Sequence, residues 1–479
     1  MKKDELTEKN NLTDMKALIK KSPLSGKDHF AYGSASIGDA LAYTMVGSFL
    51  MFFLTTVAEI RPSTAGSIIA AGAVWNAFIN PVVGFCSDKV KTRLGSRRPM
   101  ILFFSIPLAL SMFLLFSNFP IPAAFKPCYY GIMAVIFWTS YTGFFVPYLA
   151  LGAMYTEDYT ERTKLRLYAS AFNTLGAAAT MTLPTLLIKY CKTLNFSLSL
   201  SWSVAGAITG FITMISIIIT FFLSKDKDPA WENTVFPHVS DIRFKAIFRE
   251  YLDIARLKPM KYLILASACA LITYTILMSD MIYFLTYNLG LGPSEISAAL
   301  LARAMVGVIT IPFVSRCAEK FDKKNTIILF YAIAAAGLIF IRFTGVNDIA
   351  ETALYIFFAG LCTSVYWQLM PSIYYDVCDY DYMENNRNRQ GSILSFQGLI
   401  EAASGGIGAQ LLGMILETSD FKGSLALQTP EALDGIFACT TLLPVVFVAI
   451  SAYAVYRYPI TRKVHGEILA KIKEQTDIR

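Results

Sequence analysis

Charged residues are scarce in this sequence. Asp, Glu, Lys and Arg together make up 16% of its 479 residues, whereas 55% are hydrophobic, and the mean hydropathy is +0.49. A water-soluble domain of this size needs much more polar surface, so the composition excludes that class. The apolar residues are gathered into runs of roughly 18–25 residues, the length that crosses a hydrocarbon core of about 30 Å. We therefore expect an integral membrane protein.

The residue patterns that hold metals and phosphates are also lacking. The eight cysteines include no Cys-x-x-Cys pair and lie mostly inside or beside apolar runs, and His29, His238 and His465 are scattered. Cysteine packs well as a small apolar residue, so we expect neither disulfides nor a metal site. The sequence also lacks a Gly-rich phosphate loop, and it therefore predicts no cofactor and no enzyme activity.

The basic residues lie in short segments beside the apolar runs, although the net charge is +7. There they orient a membrane protein and contact anionic lipid headgroups, so we expect lipid contacts and no nucleic-acid partner. Lys and Arg are concentrated at 89–98, 162–166 and 316–324, and the loops on the opposite side are poorer in them. The positive-inside rule then predicts cytoplasmic termini, and we expect the protein in the plasma membrane.

Twelve apolar runs are predicted to be transmembrane helices. They lie at 30–57, 64–86, 99–117, 128–153, 167–188, 200–223, 262–287, 295–315, 325–343, 351–376, 391–417 and 434–457. The predicted domains are a cytoplasmic tail (1–29), a six-helix bundle (30–223), a cytoplasmic linker (224–261), a second six-helix bundle (262–457) and a second cytoplasmic tail (458–479). The first tail is polar and precedes a run too long for a signal peptide, and residues 15–19 could form a helix in it. The second tail is basic and amphipathic, as in a helix on the inner leaflet.

Six helices, a charged linker and six more helices form the plan of a two-bundle transporter. In such proteins the substrate binds near the midplane between the halves, and rocking of the halves alternates access. Small residues in the eleventh run would let neighbouring helices pack closely and slide. These residues are Ser404, Gly405, Gly406, Gly408 and Gly413.

Two motifs relate the sequence to a known family. The first is WNAFINPVVGFCSDK at 75–89, followed by RLGSRRP at 93–99. The second comprises Tyr366-Trp367, Asp376, Asp379-Tyr380, Glu384, Arg389, Gly391, Ser395 and Gln397. Both resemble motifs of the glycoside–pentoside–hexuronide:cation symporters, the melibiose-permease branch of the major facilitator superfamily. Their order holds from about residue 30 to residue 457.

The resemblance implies both a fold and an activity. The fold is all-α, with about twelve transmembrane helices in two six-helix bundles, the major facilitator fold. The activity is secondary active transport of a small-molecule substrate, which is a sugar, a glycoside or a related solute, together with a coupling cation, H⁺ or Na⁺. We expect the protein to be a monomer.

Charged residues of the two motifs are candidates for gating. They are Asp88, Arg97 and Arg98 in one half and Asp376, Asp379, Glu384 and Arg389 in the other. The resemblance implies that such charges form ion pairs at the cytoplasmic edge, which break as the cavity opens. The alternative is that they only set the membrane topology.

The cation site that the resemblance implies is altered. Sodium-coupled members carry two carboxylates one turn apart in the second helix, where this sequence has Asn76 and Asn80, whereas Thr142 at another cation-site position is kept. An amide oxygen supplies no charge, and removing water from Na⁺ without a counter-charge is costly. We therefore expect H⁺ rather than Na⁺ as the coupling ion.

Four acidic or basic residues lie inside the predicted helices and away from their ends, namely Asp39, Asp280, Arg303 and Glu401. A charge is costly at the bilayer centre, so such groups usually face a cavity, where an acid can carry a proton. The three acids are therefore candidates for cation coupling, together with the two asparagines and the threonine named above. The alternative is a structural ion pair of Arg303 with Asp280 or Glu401.

The substrate site is altered as well. The resemblance implies a carboxylate in the fourth helix, an arginine in the fifth and a lysine in the eleventh, which fall here at Phe145, Ala169 and Ala402. Trp367 offers a flat face on which carbohydrate and aromatic rings both pack. The expected substrate-binding residues are Asp39, Tyr141, Phe145, Tyr366, Trp367, Gln397 and Glu401.

The sequence leaves three interpretations open. The first is an alternating-access transporter of a sugar, glycoside or related organic solute, coupled to H⁺ in preference to Na⁺. The second keeps the fold but moves a non-sugar amphipathic or aromatic solute, by uniport or with H⁺. The third is a transport-inactive sensor, for which the missing cation carboxylates are the only support.

Overall fold

The computed structural model of the chain describes residues 24–156, 159–228, 244–386, 389–425 and 427–477. Within these ranges the backbone forms helices and no β-strand. The side chains of residues 88–89, 153, 159–160, 162–163, 244–248 and 475–477 lie outside the description. The helix expected at residues 15–19 lies outside it as well.

Twelve of the described segments are helices long and apolar enough to cross a membrane, and we number them spans 1 to 12. Spans 1 to 6 are the helices Gly26–Phe52, Pro62–Lys89, Arg98–Leu115, Lys126–Tyr155, Tyr159–Thr193 and Leu198–Leu223. Spans 7 to 12 are Lys258–Tyr283, Pro293–Phe321, Lys323–Thr344, Ile349–Asn385, Gln390–Thr418, and the pair Pro430–Thr440 and Leu442–Arg457. The number of spans and the all-helical backbone confirm the predicted fold class.

Two shorter helices accompany the spans. The linker helix, Phe244–Ala255, precedes span 7, and the tail helix, Arg462–Asp477, follows span 12. The linker helix packs on span 11, where Ser392 donates a 2.7 Å hydrogen bond to Glu250 and the ring of Tyr251 lies 5.4 Å from that of Phe396. The boundaries of the predicted domains stay a prediction.

Some spans are longer than the apolar runs that predict them. Span 10, predicted at 351–376, extends to Asn385, and span 5, predicted at 167–188, covers Tyr159–Thr193. Main-chain hydrogen bonds within a helix form equally in lipid and in water, so a helix continues past the edge of the hydrocarbon core. Hydropathy therefore marks only the buried part of each helix.

Proline and capping residues set several of the helix starts. In spans 2, 3, 4, 7, 8 and 12 a proline occupies the first or second helical position, where its missing N–H leaves no hydrogen bond unmade. Span 1 begins instead with a capping box between Ser25 and Asp28, in which each backbone N–H donates to the other side chain, at 2.9 and 3.2 Å.

An internal repeat relates the two halves. The segment Phe53-Leu54-Thr55, followed by Pro62-Ser63, recurs as Phe284-Leu285-Thr286 followed by Pro293-Ser294 with the same spacing. Both copies form a π-helical turn at the end of the first span of a half, Phe53–Val57 and Phe284–Asn288. The repeat also places Tyr43 and Tyr274 at equivalent positions. Internal repeats of this kind are typical of transporter folds.

The two halves meet at one end of the bundle, which we call the loop face because it carries the turns after spans 1 and 7. The opposite end, where spans 1 and 12 meet the chain termini, is the termini face. Spans 1, 2 and 5 contact spans 7, 11 and 8. Hydrogen bonds between the halves cluster at the loop face. They join Thr55 to Tyr283, Thr56 to Tyr287, Ser63 to Glu417, Ser67 to Gln410, Thr185 to Ser297 and Lys189 to Ser294.

Small residues allow this closure. A Cβ atom on Gly66 of span 2 would lie 2.8 Å from the backbone oxygen of Ala409, and one on Gly406 would lie 3.2 Å from the Cα of Ala70. Nearer the termini face, Gly398 of span 11 faces open space, and the side chain of Trp367 in span 10 is 39% exposed. The space between the halves is therefore closed at the loop face and opens towards the termini face.

Candidate functional site

An acid on span 1 occupies the centre of the first half. Asp39 is half-buried and accepts a 2.7 Å hydrogen bond from the hydroxyl of Tyr141 on span 4 and a 3.0 Å bond from Nδ2 of Asn173 on span 5. Both donors are neutral, so these bonds orient the carboxylate but leave its charge uncompensated. Sequence reasoning missed Asn173, which no motif marks.

A second acid meets span 1 from the other half. The hydroxyl of Tyr43, one turn beyond Asp39, donates a 2.8 Å hydrogen bond to Oε1 of Glu401 on span 11. The ion pairs formed by the described residues include neither Asp39 nor Glu401. The structure thus brings both predicted acids to the interface between the halves, without a basic partner.

Aromatic rings line both sides of this interface. In the first half the ring of Tyr43 lies edge-on to Trp138 at 6.1 Å, and Tyr141 stacks on Phe145 at 5.4 Å. In the second half Trp367 packs edge-on against Tyr274 at 5.7 Å and Tyr366 at 5.2 Å. The two Tyr–Trp pairs are the same arrangement in the two halves, with interplanar angles of 77° and 75°. Tyr43 and Trp138 were not predicted, although the repeat of Tyr43 at Tyr274 was a signal that could have found the first.

The predicted cation-site residues of spans 2 and 4 form a neutral cluster. Thr142 donates a 2.7 Å hydrogen bond to Oδ1 of Asn76, and Nδ2 of Asn80 donates to the same atom at 3.1 Å and to the backbone oxygen of Asn76 at 2.8 Å. Because Oδ1 of Asn76 already accepts two hydrogen bonds, a cation could use it only by displacing them. Their predicted role in cation coupling stays a prediction.

Asp280 and Arg303 lie in the interior of the second half. Asp280 on span 7 is fully buried, and neither of its carboxylate oxygens has a hydrogen-bond partner among the described residues. Arg303 on span 8 is 7% exposed, and its guanidinium group contacts Sδ of Met278. Among the described residues Arg303 forms no ion pair with Asp280 or Glu401 in this conformation.

Gln397, the remaining predicted substrate-binding residue, is half-buried on span 11, one turn before Glu401. Four residues of the predicted set are therefore connected with Tyr43 through hydrogen bonds and ring contacts. They are Asp39, Tyr141, Phe145 and Glu401. Tyr366 and Trp367 belong to the aromatic group of the second half.

The predicted gating residues of the first half are tied to their own half. The backbone N–H groups of Arg97 and Arg98 donate to Oδ2 of Asp228 at 2.8 and 2.9 Å, and Ser96 donates to Oδ1 at 2.9 Å. Arg98 is buried, and its Nε donates to the backbone oxygen of Phe221 at 2.8 Å. Asp228, which sequence reasoning missed, thus fastens the loop before span 3 to the end of span 6. The side chain of Asp88 lies outside the described residues.

Two predicted gating residues of the second half, Asp376 and Asp379, form hydrogen bonds and ion pairs with residues of the same half. Lys323 donates to both oxygens of Asp376 at 2.8 Å. His465 of the tail helix lies 2.9 Å from Oδ2 of Asp379 and 3.7 Å from Oδ1 of Asp376. Lys323 and His465 were not predicted, because their partners are remote in sequence. With Gln368 and Tyr458, Asp376 lines a cavity of about 700 Å³ at the termini face.

Arg389, another predicted gating residue, lies just after span 10 and pairs with Asp381 near the end of that span. Its Nε donates a 2.9 Å hydrogen bond to Oδ2 of Asp381, a residue that sequence reasoning missed. This hydrogen bond raises the pKa of the Arg389 guanidinium above its usual value. Glu384 is exposed and lines a cleft of about 520 Å³ together with Arg256, Lys258 and Arg389. The gating roles stay a prediction.

Comparison with known proteins covers nearly the whole chain. A family model described as MFS/sugar transport protein matches residues 31–462. The uncharacterized symporter YnaJ of Bacillus subtilis is 24% identical over 462 residues, covering 95% of this chain and 96% of that protein. The isoprimeverose transporter of Lactiplantibacillus pentosus is 22% identical over 470 residues, with 98% and 96% covered. The sodium-dependent lysophosphatidylcholine symporter 1-A of Danio rerio is 24% identical over 467 residues, with 90% and 85% covered.

Solved structures show the same fold. A bacterial homologue of the human lysosomal transporter Spinster, in an inward-facing and unoccupied conformation, has a TM-score of 0.65 at 13% identity, covering 93% of this chain and 98% of that one. The nucleoside transporter NupG has a TM-score of 0.59 at 12% identity, with 92% and 99% covered. The family predicted from the two motifs is confirmed. The chain belongs to the MFS/sugar transport protein family and is a multi-pass membrane transporter of the major facilitator fold.

Proposed function

We propose that the protein is a secondary active transporter that moves a sugar, glycoside or related organic solute by alternating access, coupled to H⁺ rather than Na⁺. The observation that carries the proposal is the hydrogen bond between Tyr43 and Glu401, which joins the two halves at the centre of the interface, beside Asp39. A solute bound there touches both halves, so their rocking changes the side from which it is reached.

The preference for H⁺ rests on the available ligands. A sodium ion needs several oxygen ligands and a counter-charge, and Oδ1 of Asn76 is already used by Thr142 and Asn80. Asp39 and Glu401 are carboxylates near the midplane without a basic partner among the described residues, and a proton is the smallest group that neutralises them. Asp280 is a less accessible candidate, because it is fully buried.

The proposed orientation places both termini in the cytoplasm of the plasma membrane, so that the termini face is the cytoplasmic side. The described conformation is then open to the cytoplasm, and the hydrogen bonds of the loop face close the outer side. Return to the outward-open conformation requires those bonds to break. The charged residues at the termini face, including Asp376 and Asp379, would then close the inner side against the first half. A monomer contains this complete site.

A second cargo remains a candidate. The stack of Tyr141 on Phe145 lines the first half with aromatic surface, which favours an amphipathic or aromatic solute over an unmodified sugar. A relative from Danio rerio named as a lysophosphatidylcholine symporter indicates that related chains handle such cargo. Uptake of the solute by uniport would then not require the acids.

Uptake into proteoliposomes tests the proposal. The purified full-length protein is offered radiolabelled sugars, glycosides and aromatic solutes under an imposed H⁺ or Na⁺ gradient. We expect accumulation of a sugar or glycoside that is stimulated by inward H⁺ and not by Na⁺. Stimulation by Na⁺ alone would contradict the choice of ion, and uptake of no solute would favour a transport-inactive sensor.

A further inference from the structure

We propose that the cargo carries a positive charge, as a protonated or quaternary ammonium group, which binds Glu401 among the rings of Tyr43, Tyr274 and Trp367. This inference rests on the proposed transport function and narrows its substrate class. In this division of roles Glu401 binds the cargo and Asp39 binds the coupling proton.

The charge balance inside the membrane supports a cationic cargo. Among the described residues, Arg303 is the only Lys or Arg that lies more than two helical turns from both ends of its span. It is almost fully buried, and its guanidinium group contacts Met278, while its charge also acts on Tyr274. Neither Asp39 nor Glu401 forms an ion pair with a base among the described residues. Unpaired charge is costly at this depth, and a cationic solute relieves that cost.

The two acids differ in how much of their hydrogen-bonding capacity is free. Asp39 accepts bonds from Tyr141 and Asn173 and is held within the first half. Glu401 accepts a single hydrogen bond from the described residues, that of Tyr43, and is only half-buried. Since a carboxylate has about four acceptor sites, Glu401 retains room for a donor from a ligand. A protonated ammonium group supplies both that donor and the missing charge, whereas a quaternary ammonium group has no N–H and supplies the charge alone.

Aromatic faces around Glu401 suit the same group. Tyr43 donates to Glu401, and the charges of both Arg303 and Glu401 act on Tyr274. Trp367 packs against Tyr274 and keeps 39% of its surface exposed. A cation over the face of Trp or Tyr is attracted by the ring quadrupole, and organic ammonium ions are recognised in this way. Metal cations prefer oxygen ligands, of which this site offers few.

The proposed site contains residues of both halves, so binding of the cargo affects how the halves move relative to each other. Tyr43 belongs to the first half, whereas Glu401, Tyr274 and Trp367 belong to the second. A bound ammonium group attracts the Glu401 carboxylate to which Tyr43 donates, so its arrival changes a contact between the halves. A neutral solute of the same shape can donate a hydrogen bond through a hydroxyl group but lacks the charge that attracts Glu401.

Matched ligand pairs test the inference on the unmodified full-length protein in proteoliposomes. The pairs are choline and its neutral isostere dimethylbutanol, phenylethylamine and phenylethanol, and aminoethyl glucoside and hydroxyethyl glucoside. Competition against the transported solute gives an affinity for each. We expect the cationic member of at least one pair to bind about tenfold or more tightly than its neutral counterpart, which corresponds to about 1.4 kcal/mol. Equal affinities within every pair would overturn the inference.

Variants then locate the site. Glu401→Gln should abolish the preference for the cationic member, and Trp367→Leu should reduce it, whereas Glu431→Gln, which changes an exposed acid of span 12, should leave it unchanged. A preference that survives Glu401→Gln would overturn the assignment. Transport of a neutral sugar without any cation preference would refute the inference but support the proposed function, whereas failure to transport any solute would refute the proposed function itself.

Discussion

Tyr43 and Glu401 are hydrogen-bonded at 2.8 Å although 358 positions separate them in the chain. The bond runs from span 1 of the first half to span 11 of the second, and Asp39 lies one turn away from Tyr43 on the same helix. Hydrogen bonds to a charged acceptor contribute about 1.5–3 kcal/mol. This hydrogen bond therefore contributes to the free-energy difference between the conformation open to the termini face and the one open to the loop face.

Removing the hydroxyl of Tyr43 should slow transport. Tyr43→Phe leaves the ring in place but deprives Glu401 of its donor, and we expect the maximal uptake rate in proteoliposomes to fall about tenfold, which corresponds to about 1.4 kcal/mol. Tyr453→Phe, which changes an exposed tyrosine of span 12, serves as the matched control. An unchanged rate in Tyr43→Phe would show that the bond has no part in the transport cycle.

Neutralising Asp39 should uncouple transport from protons. Asp39→Asn can still bond Tyr141 but cannot exchange a proton, so we expect H⁺-driven accumulation to be lost while exchange of labelled for unlabelled solute persists. The measurement is uptake with and without an inward H⁺ gradient. Asp226→Asn, at an exposed turn after span 6, is the control and should behave like the unmodified protein. Undiminished H⁺-driven accumulation in Asp39→Asn would refute this role.

Widening the contact between spans 2 and 11 should prevent closure at the loop face. Gly66→Leu would place side-chain atoms against the backbone of Ala409 and Gln410, and we expect uptake to fall more than tenfold. A cysteine introduced by Thr56→Cys should react faster with an impermeant thiol reagent when Gly66→Leu is also present than when it is absent. Gly131→Leu, at a position with open space around it, is the control. Normal uptake by Gly66→Leu would mean that this contact is not needed.

Loss of Asp228 should destabilise the first half. This carboxylate accepts bonds from the backbone N–H groups of Ser96, Arg97 and Arg98, and Asp228→Ala leaves those donors unmatched. We expect a loss of about 2–3 kcal/mol in stability, since each buried unsatisfied donor costs about 1–3 kcal/mol. The midpoint of thermal aggregation of the detergent-solubilised protein measures it, with Asp226→Asn as control. A midpoint equal to that of the control would contradict the anchoring role.

The tail helix should loosen when its histidine is removed. His465→Ala deletes the contact with Asp379, and we expect chymotrypsin to cleave the tail at least twofold faster. The pair is partly exposed, so its contribution is only about 0.2–1 kcal/mol. Lys463→Ala, an exposed position in the same helix, provides the comparison. Equal cleavage rates in the two variants would show that His465 does not hold the tail.

The fold could be predicted because its signals are local in the sequence. Twelve long apolar runs specify helices, since a chain in lipid must satisfy its main-chain hydrogen bonds within each segment. The helix ends were harder to predict, as the extension of span 10 to Asn385 illustrates. Hydropathy changes at the membrane edge, whereas the helix continues past it.

The site could be predicted only in part. Asp39 and Glu401 were identified because an acid inside an apolar run is conspicuous, and Trp367 because it lies in the second motif. Tyr43, Asn173 and Asp228 carry no such mark. Each gains its role from a partner on another helix, and the sequence does not show which helix faces will meet.

The sequence by itself determined the family, the number of membrane spans and the replacement of two carboxylates by Asn76 and Asn80, since these are properties of residue order along one chain. Only the tertiary structure decided that Oδ1 of Asn76 is already occupied, that Tyr43 reaches Glu401 and that the halves close at the loop face. These relationships depend on distances of about 3 Å between helices, and such distances follow from packing, which residue order alone does not specify.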